Sequence, residues 1–246
     1  GSPRMGIYRT SRISGPSPAL ILITNQLERI AVEGATFADV DCNGSLDLVY
    51  SGVTNGLRRV ITALNDGQGI FTIVPNDLPS VAGPVLASDF DGDGRVDLML
   101  GDSSVPLHRA QIFWNRSPGP FEAGPIVSDA LPVTGAGVVD ANGDGVPDVW
   151  LVQSVDDRRS SLELNLFLQK NGRFEHGFGL PTNQFAGAAE PVWGDFDHDG
   201  RIDLVAPAEE RVLNALLREV GTNYFTLYHG TGEGGFRAGG YLFGIP

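Results

Sequence analysis

The sequence predicts an all-β fold built from four-stranded units, and three observations carry that prediction. An Asp-rich loop recurs four times at a near-constant interval, each copy runs into a short apolar segment, and a Gly-rich turn ending in Phe keeps step with it. The loops begin at residues 39, 89, 140 and 195, an interval of about 50 residues that marks a propeller, a solenoid or an array. Each unit reads strand, Asp loop, strand, loop, strand, Gly turn, strand. Four strands in about 40–50 residues is one blade of a β-propeller.

Taken in chain order, "MGIYRT…ALILITNQLERI" (5–30) aligns with 151–174 and reads as strands two to four of a blade lacking its first strand and loop. The runs "DLVY" (47–50), "DLML" (97–100), "DVWL" (148–151) and "DLVA" (203–206), bounded by Gly, Ser or Pro, read as buried second strands. Third strands follow in "RRVITAL" (58–64), "RAQIFW" (109–114), "LELNLFL" (162–168) and "NYFTLY" (223–228). The turns "LNDGQGIF" (64–71), "WNRSPGPF" (114–121), "LQKNGRF" (168–174) and "HGTGEGGF" (229–236) then lead into the fourth strands. The terminal "GGYLFGIP" (239–246) reads as one apolar strand. Joined to the N-terminal strands it would close a ring of five blades and hide sheet edges that invite aggregation. One domain spanning 1–246 is expected, and the Gly1-Ser2 start, which resembles a cleavage scar, leaves a piece of a larger propeller as the alternative. One segment departs from its siblings: in 206–223, Val212, Leu213, Leu216, Leu217 and Val220 recur at helical spacing, giving a short amphipathic helix or a longer hairpin.

The loops carry the chemistry. In "DFDGDGRVD" carboxylates stand at positions 1, 3, 5 and 9 (Asp89, Asp91, Asp93, Asp97), and Gly94 at position 6 supplies a sharp bend. Arg95 at position 7 would offer its backbone carbonyl. Two carboxylates roughly 5 Å apart repel by on the order of 3 kcal/mol at an effective dielectric of about 20, so a cation is expected among them. Oxygen donors in this number suit Ca²⁺ better than Zn²⁺. The same rule places Asp39, Asp41, Asn43, Ser45 and Asp47 in the first loop, and Asp140, Asn142, Asp144, Val146 and Asp148 in the third. In the fourth it places Asp195, Asp197, Asp199, Arg201 and Asp203. About four Ca²⁺ ions are expected, tightest in the second and fourth loops, because Asn43 and Asn142 lower the charge of the other two. An EF-hand is excluded: its position-12 Glu is replaced by Tyr50, Leu100, Leu151 and Ala206.

The D-x-[DN]-x-[DN]-G-x-x-D loop followed by an apolar strand resembles the FG-GAP/VCBS repeat family, which includes the blades of the integrin α-subunit headpiece and many surface proteins. The resemblance covers nearly the whole chain. It implies that each loop joins the first two strands of a blade and binds Ca²⁺. Because the family usually builds seven blades, it also makes a fragment of a seven-bladed propeller the alternative to five. The function it implies is a non-catalytic recognition or adhesion module for a protein or glycan ligand. The alternative is the propeller domain of a polysaccharide lyase or hydrolase.

Composition agrees with this expectation. The net charge is −13, yet the loops hold 14 of the 30 acidic residues and two of the 17 bases, so the rest of the chain is near balance. The acidity thus belongs to the loops, and nucleic acid is an unsuitable partner. A single cysteine, Cys42, excludes an internal disulfide, and no run of 18 apolar residues is present to span a membrane as a helix. Extracellular Ca²⁺ modules work at Kd of about 10⁻⁴ to 10⁻³ M, which points to an extracellular, periplasmic or cell-surface location. No catalytic constellation is evident. His108, His176, His198 and His229 are scattered without an i, i+4 pair, "GDSSV" (101–105) lacks a positioned base, and "GTGEGG" (230–235) takes the place of the other Gly turns as a hairpin, with no βα unit around it. Trp114, Trp150 and Trp193 fall in strand-like runs and read as packing residues. Polar loops on the face opposite the Asp loops offer Asp156, Asp157, Arg158, Arg159, Asn76, Asp77, Glu209, Glu210 and Arg211 to a ligand.

Overall fold

The computed structural model describes residues 7–11, 19–24, 30–103, 108–156, 161–181, 185, 190–213 and 219–242. Every regular element among them is a β-strand. The chain divides into two compact units, Gly1–Ser104 with Gln111–Gly124, and Val105–Ala110 with Pro125–Pro246.

The first unit opens with the antiparallel hairpin of β1 (Ile7–Ser11) and β2 (Ala19–Thr24). Next come β3 (Ala31–Ala38), β4 (Asp47–Thr54), β5 (Leu57–Asn65) and β6 (Phe71–Val74), a four-stranded meander in chain order. The following sheet repeats the order with β7 (Val85–Ser88), β8 (Asp97–Gly101), β9 (Ala110–Trp114) and β10 (Glu122–Ser128). The second strand of each meander is buried along both faces, which explains its unbroken apolar sequence. Leu48 and Tyr50 pack with Ile61, Ala63 and Phe71, whereas Val49, between them, points the other way into a cluster with Leu98, Leu100 and Phe113. Leu98 and Leu100 are 0% and 2% exposed, each contributing about 2 kcal/mol over a solvent-facing position.

The second unit holds β11 (Val133–Val139), β12 (Asp148–Ser154), β13 (Leu162–Lys170) and β14 (Arg173–Leu180), again in chain order. Its last sheet is β15 (Val192–Gly194), β16 (Asp203–Leu213), β17 (Glu219–Gly230) and β18 (Phe236–Leu242). Trp150, Val152, Leu164 and Leu166 pack with Leu204, Ala206 and Tyr228 in one core. Asn171 and Gly172, at φ of 51° and 72°, form the two-residue turn whose left-handed residues match the twist of β13 and β14.

The expected order of strand, Asp loop, strand, loop, strand, Gly turn, strand is therefore realised in four antiparallel sheets. Three details correct or limit the sequence reading. Of the strands expected in 5–30, β1 and β2 are present, and 25–29 lies outside the described residues. Gly239 to Leu242 belong to β18, paired with β17 from Phe225↔Leu242 to Gly230↔Phe236. In the last sheet they are thus part of a fourth strand, where the sequence reading placed a first strand, and 243–246 lie outside the described residues. Finally, the described residues of 206–223 form the longer hairpin. β16 and β17 stay in register from Leu204↔Tyr228 to Leu213↔Glu219, with β-branched Val212 and Val220 directly opposite one another. Residues 214–218 lie outside the described set.

Candidate metal centres

Each Asp loop is anchored by its ninth residue. Asp47, Asp97 and Asp148 are 0% exposed and Asp203 is 1% exposed, and every one of them accepts two backbone N–H groups. Oδ2 accepts from the second loop residue: Val40 and Phe90 at 2.9 Å, Ala141 and Phe196 at 3.0 Å. Oδ1 accepts from the end of the third strand or the turn beyond it: Asn65, Asn115 and Gln169 at 2.8 Å and Gly230 at 2.9 Å. One carboxylate thereby ties the Asp loop to the Gly turn. Burial pushes Asp47 and Asp97 up from the usual carboxylate range and Asp148 up to about 6, against the pull of the two amide donors.

The first residue of each loop holds the bend. Asp39 accepts N–H from Asn43 at 2.9 Å and Gly44 at 2.8 Å, and Asp89, Asp140 and Asp195 repeat the pattern with Asp93 and Gly94, Asp144 and Gly145, Asp199 and Gly200. The sixth-position glycines sit at φ of 81° to 85°, the left-handed region that glycine enters without steric cost. The fourth position is left-handed in every loop as well, at Cys42 (61°), Gly92 (75°), Gly143 (74°) and His198 (62°). That demand passed unnoticed in the sequence, because only two of the four residues are glycine. Cys42 is exposed. The seventh residues, Ser45, Arg95, Val146 and Arg201, each donate their N–H to the fifth-position side chain at 2.7 to 2.9 Å.

These constraints bring donor oxygens together. Asp39, Asp41 and Asp47 place one carboxylate oxygen each within 4.8 Å of one another, as do Asp89, Asp91 and Asp97, and Asp195, Asp197 and Asp199. Ca²⁺ binds oxygen at about 2.3–2.6 Å, so two donors across such an ion stand up to about 5 Å apart. The first, second and fourth loops fit. The third brings no such trio together: Asn142 takes the third position, its Nδ2 donating to Asp144 at 2.8 Å. Asn43 acts likewise in the first loop, donating to Asp41 at 2.9 Å.

Two partners were invisible in the loops themselves because they come from the Gly turns. Arg116 reaches across from the turn after β9, with Nη1 2.9 Å from Asp91 and 3.2 Å from Asp93, while Arg95 also pairs with Asp93. The second loop thus has two guanidinium groups against its four carboxylates, which works against its being among the tightest. At the fourth loop His229 Nδ1 lies 3.0 Å from Asp197 Oδ2, and Arg201 lies 3.2 Å from Asp199. The equal phase of Asp loop and Gly turn was the available signal for both contacts.

The remaining candidates separate. Asn76 is structural, donating to Val60 O at 3.2 Å and Thr62 Oγ1 at 3.3 Å and accepting from Leu78 N at 3.1 Å. Asp77 is exposed and 157–160, with Asp157, Arg158 and Arg159, lie outside the described residues. Glu209, Glu210 and Arg211 fall on β16. Trp150 is buried, Trp193 meets Phe236 edge-on at 5.5 Å, and Trp114 lies under the Arg116 guanidinium at 5.7 Å.

No curated protein matches the chain. A family profile described as FG-GAP-like repeat matches residues 89–151 and 140–206, spans that begin at the second and third Asp loops and end within the second strand of the following sheet. Residues 89–206 are therefore similar to FG-GAP-like repeats.

Proposed function

We propose that this chain is a calcium-binding β-propeller module that recognises a protein or glycan and catalyses no reaction on it. The observation that carries the calcium assignment is the convergence of three carboxylates in the first, second and fourth loops, each on a frame of backbone hydrogen bonds. Asp39, Asp41, Asp89, Asp91, Asp195, Asp197 and Asp199 would hold the ions, with the buried ninth Asp supplying a further oxygen. The third loop is the weakest member of the set. Bound Ca²⁺ neutralises the carboxylates and locks the first and second strands of each blade together. The blade reading rests on four meanders in chain order, each with its Asp loop and Gly turn at the same end.

Ligand recognition belongs to the opposite end. The first sheet carries there an open groove of about 790 Å³ lined by Leu57, Arg58, Arg59, Ile73, Pro75 and Asn76. It combines exposed apolar side chains with two arginines, a surface suited to an acidic glycan or acidic peptide. Calcium titration of chelated protein, followed by calorimetry and melting temperature, tests the metal assignment. A glycan array read together with a panel of polysaccharide substrates tests recognition. Binding without turnover, weakened by Arg58→Ala, is the expected result, and depolymerisation by the purified chain would refute the non-catalytic reading.

A further inference from the structure

We propose that the fourth loop is a selective site for a first-row transition ion, held by Asp197, Asp203 and His229, while the other loops are oxygen-only. The proposal rests on the loops being metal sites and goes beyond calcium binding. His229 Nδ1 stands 3.0 Å from Asp197 Oδ2 and 3.8 Å from Asp203 Oδ1, and the three donor atoms all lie within 4.8 Å of one another. Donors bound about 2.1 Å from a single Zn²⁺ stand about 3 to 3.4 Å apart, so these separations bracket a shared ion. The approach to Asp197 lacks hydrogen-bond geometry, and Nδ1 is buried with no hydrogen-bond partner. A buried imidazole nitrogen aimed at two carboxylates, and hydrogen-bonded to neither, is what a metal ligand looks like before the metal arrives.

The ring is set in place by its surroundings. A Cβ at Gly239 would come within 2.4 Å of His229 Cδ2 and 2.5 Å of Nε2, so the far edge of the imidazole rests on a residue that has no side chain. That seat turns the Nδ1 edge toward the loop. In the other units the place of His229, one residue before the amide donor to the ninth Asp, is held by Leu64, Trp114 and Leu168, none of which can bind a metal. The nitrogen donor therefore belongs to the fourth loop alone. Imidazole favours Zn²⁺, Co²⁺ and Ni²⁺ over Ca²⁺, whereas all-oxygen sets favour Ca²⁺. Asp203 still has lone pairs to give, because each of its oxygens accepts one N–H. Asp197 belongs to the calcium trio with Asp195 and Asp199 and also to the trio with His229, so the two ions exclude each other there.

The test uses the whole chain, stripped with chelator, at pH 7.5. Co²⁺ is titrated by its visible absorption, with Zn²⁺ as competitor, in the wild type and in His229→Leu, a residue the fold already accepts at 64 and 168. One Co²⁺ per chain, bound at least tenfold more tightly by the wild type than by the variant, is expected, together with the loss of one calcium equivalent when Zn²⁺ is present. Equal Co²⁺ affinity in both proteins, or no Co²⁺ uptake by the wild type, overturns the proposal. A calcium titration of the same sample separates this failure from that of the calcium reading. Should His229→Leu fold poorly, imidazole nitrogen resonances of the wild type decide the matter. Zn²⁺ should move Nδ1 of His229 and leave the other three histidines unshifted, and an unmoved His229 signal overturns the assignment.

Discussion

Replacing Asp148 by Ala tests whether the ninth loop residue is a structural anchor independent of metal. The side chain is fully buried and accepts N–H from Ala141 at 3.0 Å and Gln169 at 2.8 Å. Alanine leaves both amides without that acceptor in the interior, at about 1–3 kcal/mol each, or about 2–6 kcal/mol together. Part of this is returned, because burial opposes the carboxylate charge and the variant no longer carries it. A net loss of about 2–4 kcal/mol remains, which at roughly 2–4 °C per kcal/mol for a chain of this size lowers the melting temperature by about 5–15 °C. The assay is thermal unfolding at pH 7 in excess EDTA, so that no ion contributes. Asp144→Ala is the control: Asp144 is exposed, accepts the Val146 N–H and the Asn142 Nδ2 group at 2.8 Å each at the surface, and its loss should cost roughly 0.5 kcal/mol or less. If the two variants melt together in EDTA, the ninth Asp is only a metal donor and the anchoring argument is wrong.

Other expectations follow from the same geometry. Arg116→Ala removes the guanidinium bridging Asp91 and Asp93 and should tighten calcium at the second loop roughly 1.5- to 5-fold, the range of an exposed ion pair, with the gain shrinking in high salt when followed by calorimetry. Because the folded-state value of Asp148 is raised from 3.8 to about 6, its protonation stabilises the metal-free chain. That contribution is fully present below about 3.8 and is lost as pH rises through about 6, so EDTA melts from pH 4 to 7 should fall more steeply for wild type than for Asp148→Asn. Cys42→Gly relieves a left-handed residue at φ 61°, worth about 1–2 kcal/mol, less about 0.5–1 kcal/mol of added chain freedom. A small rise in denaturation midpoint is expected, and a fall would show that the Cys42 side chain makes a contact of its own.

The sequence was most legible where period and chemistry coincide. The second strands announced themselves because Leu48, Val49 and Tyr50 must all be apolar when both faces of β4 are covered. The loops were equally plain, since few other arrangements call for carboxylates at alternate positions and glycine at the sixth. What stayed hidden depended on contacts distant in the chain. Nothing local to Arg116 or His229 marks them as partners of residues about 25 to 30 positions earlier. At 206–223 the sequence left a helix and a longer hairpin open for another reason. Its apolar residues recur at helical spacing, yet the backbone pairs in register from Leu204↔Tyr228 to Leu213↔Glu219, a long-range pairing that local periodicity does not report. At 239–242 the sequence showed a strand but not its partner, which the length of β17 decides.

The long hairpin has a consequence for how this protein can change. β15 pairs with β16 only as far as Val205, and β18 with β17 only as far as Phe225, so from Glu209 to Leu213 and from Glu219 to Asn223 the ribbon has two strands and no described third. At about 3.3 Å per residue this two-stranded stretch runs roughly 15 Å, and its two outer margins have no partner strand among the described residues. A lone ribbon of this kind is only marginally ordered in water, which leaves its length and sequence free to drift. The Asp loop and the Gly turn sit at the opposite end of the same sheet, so the ribbon can be trimmed, lengthened or exchanged for another without touching either. It is an interchangeable part on a self-sufficient sheet, and a foreign hairpin grafted between Ala208 and Tyr224 should inherit the stability of the strands beneath it.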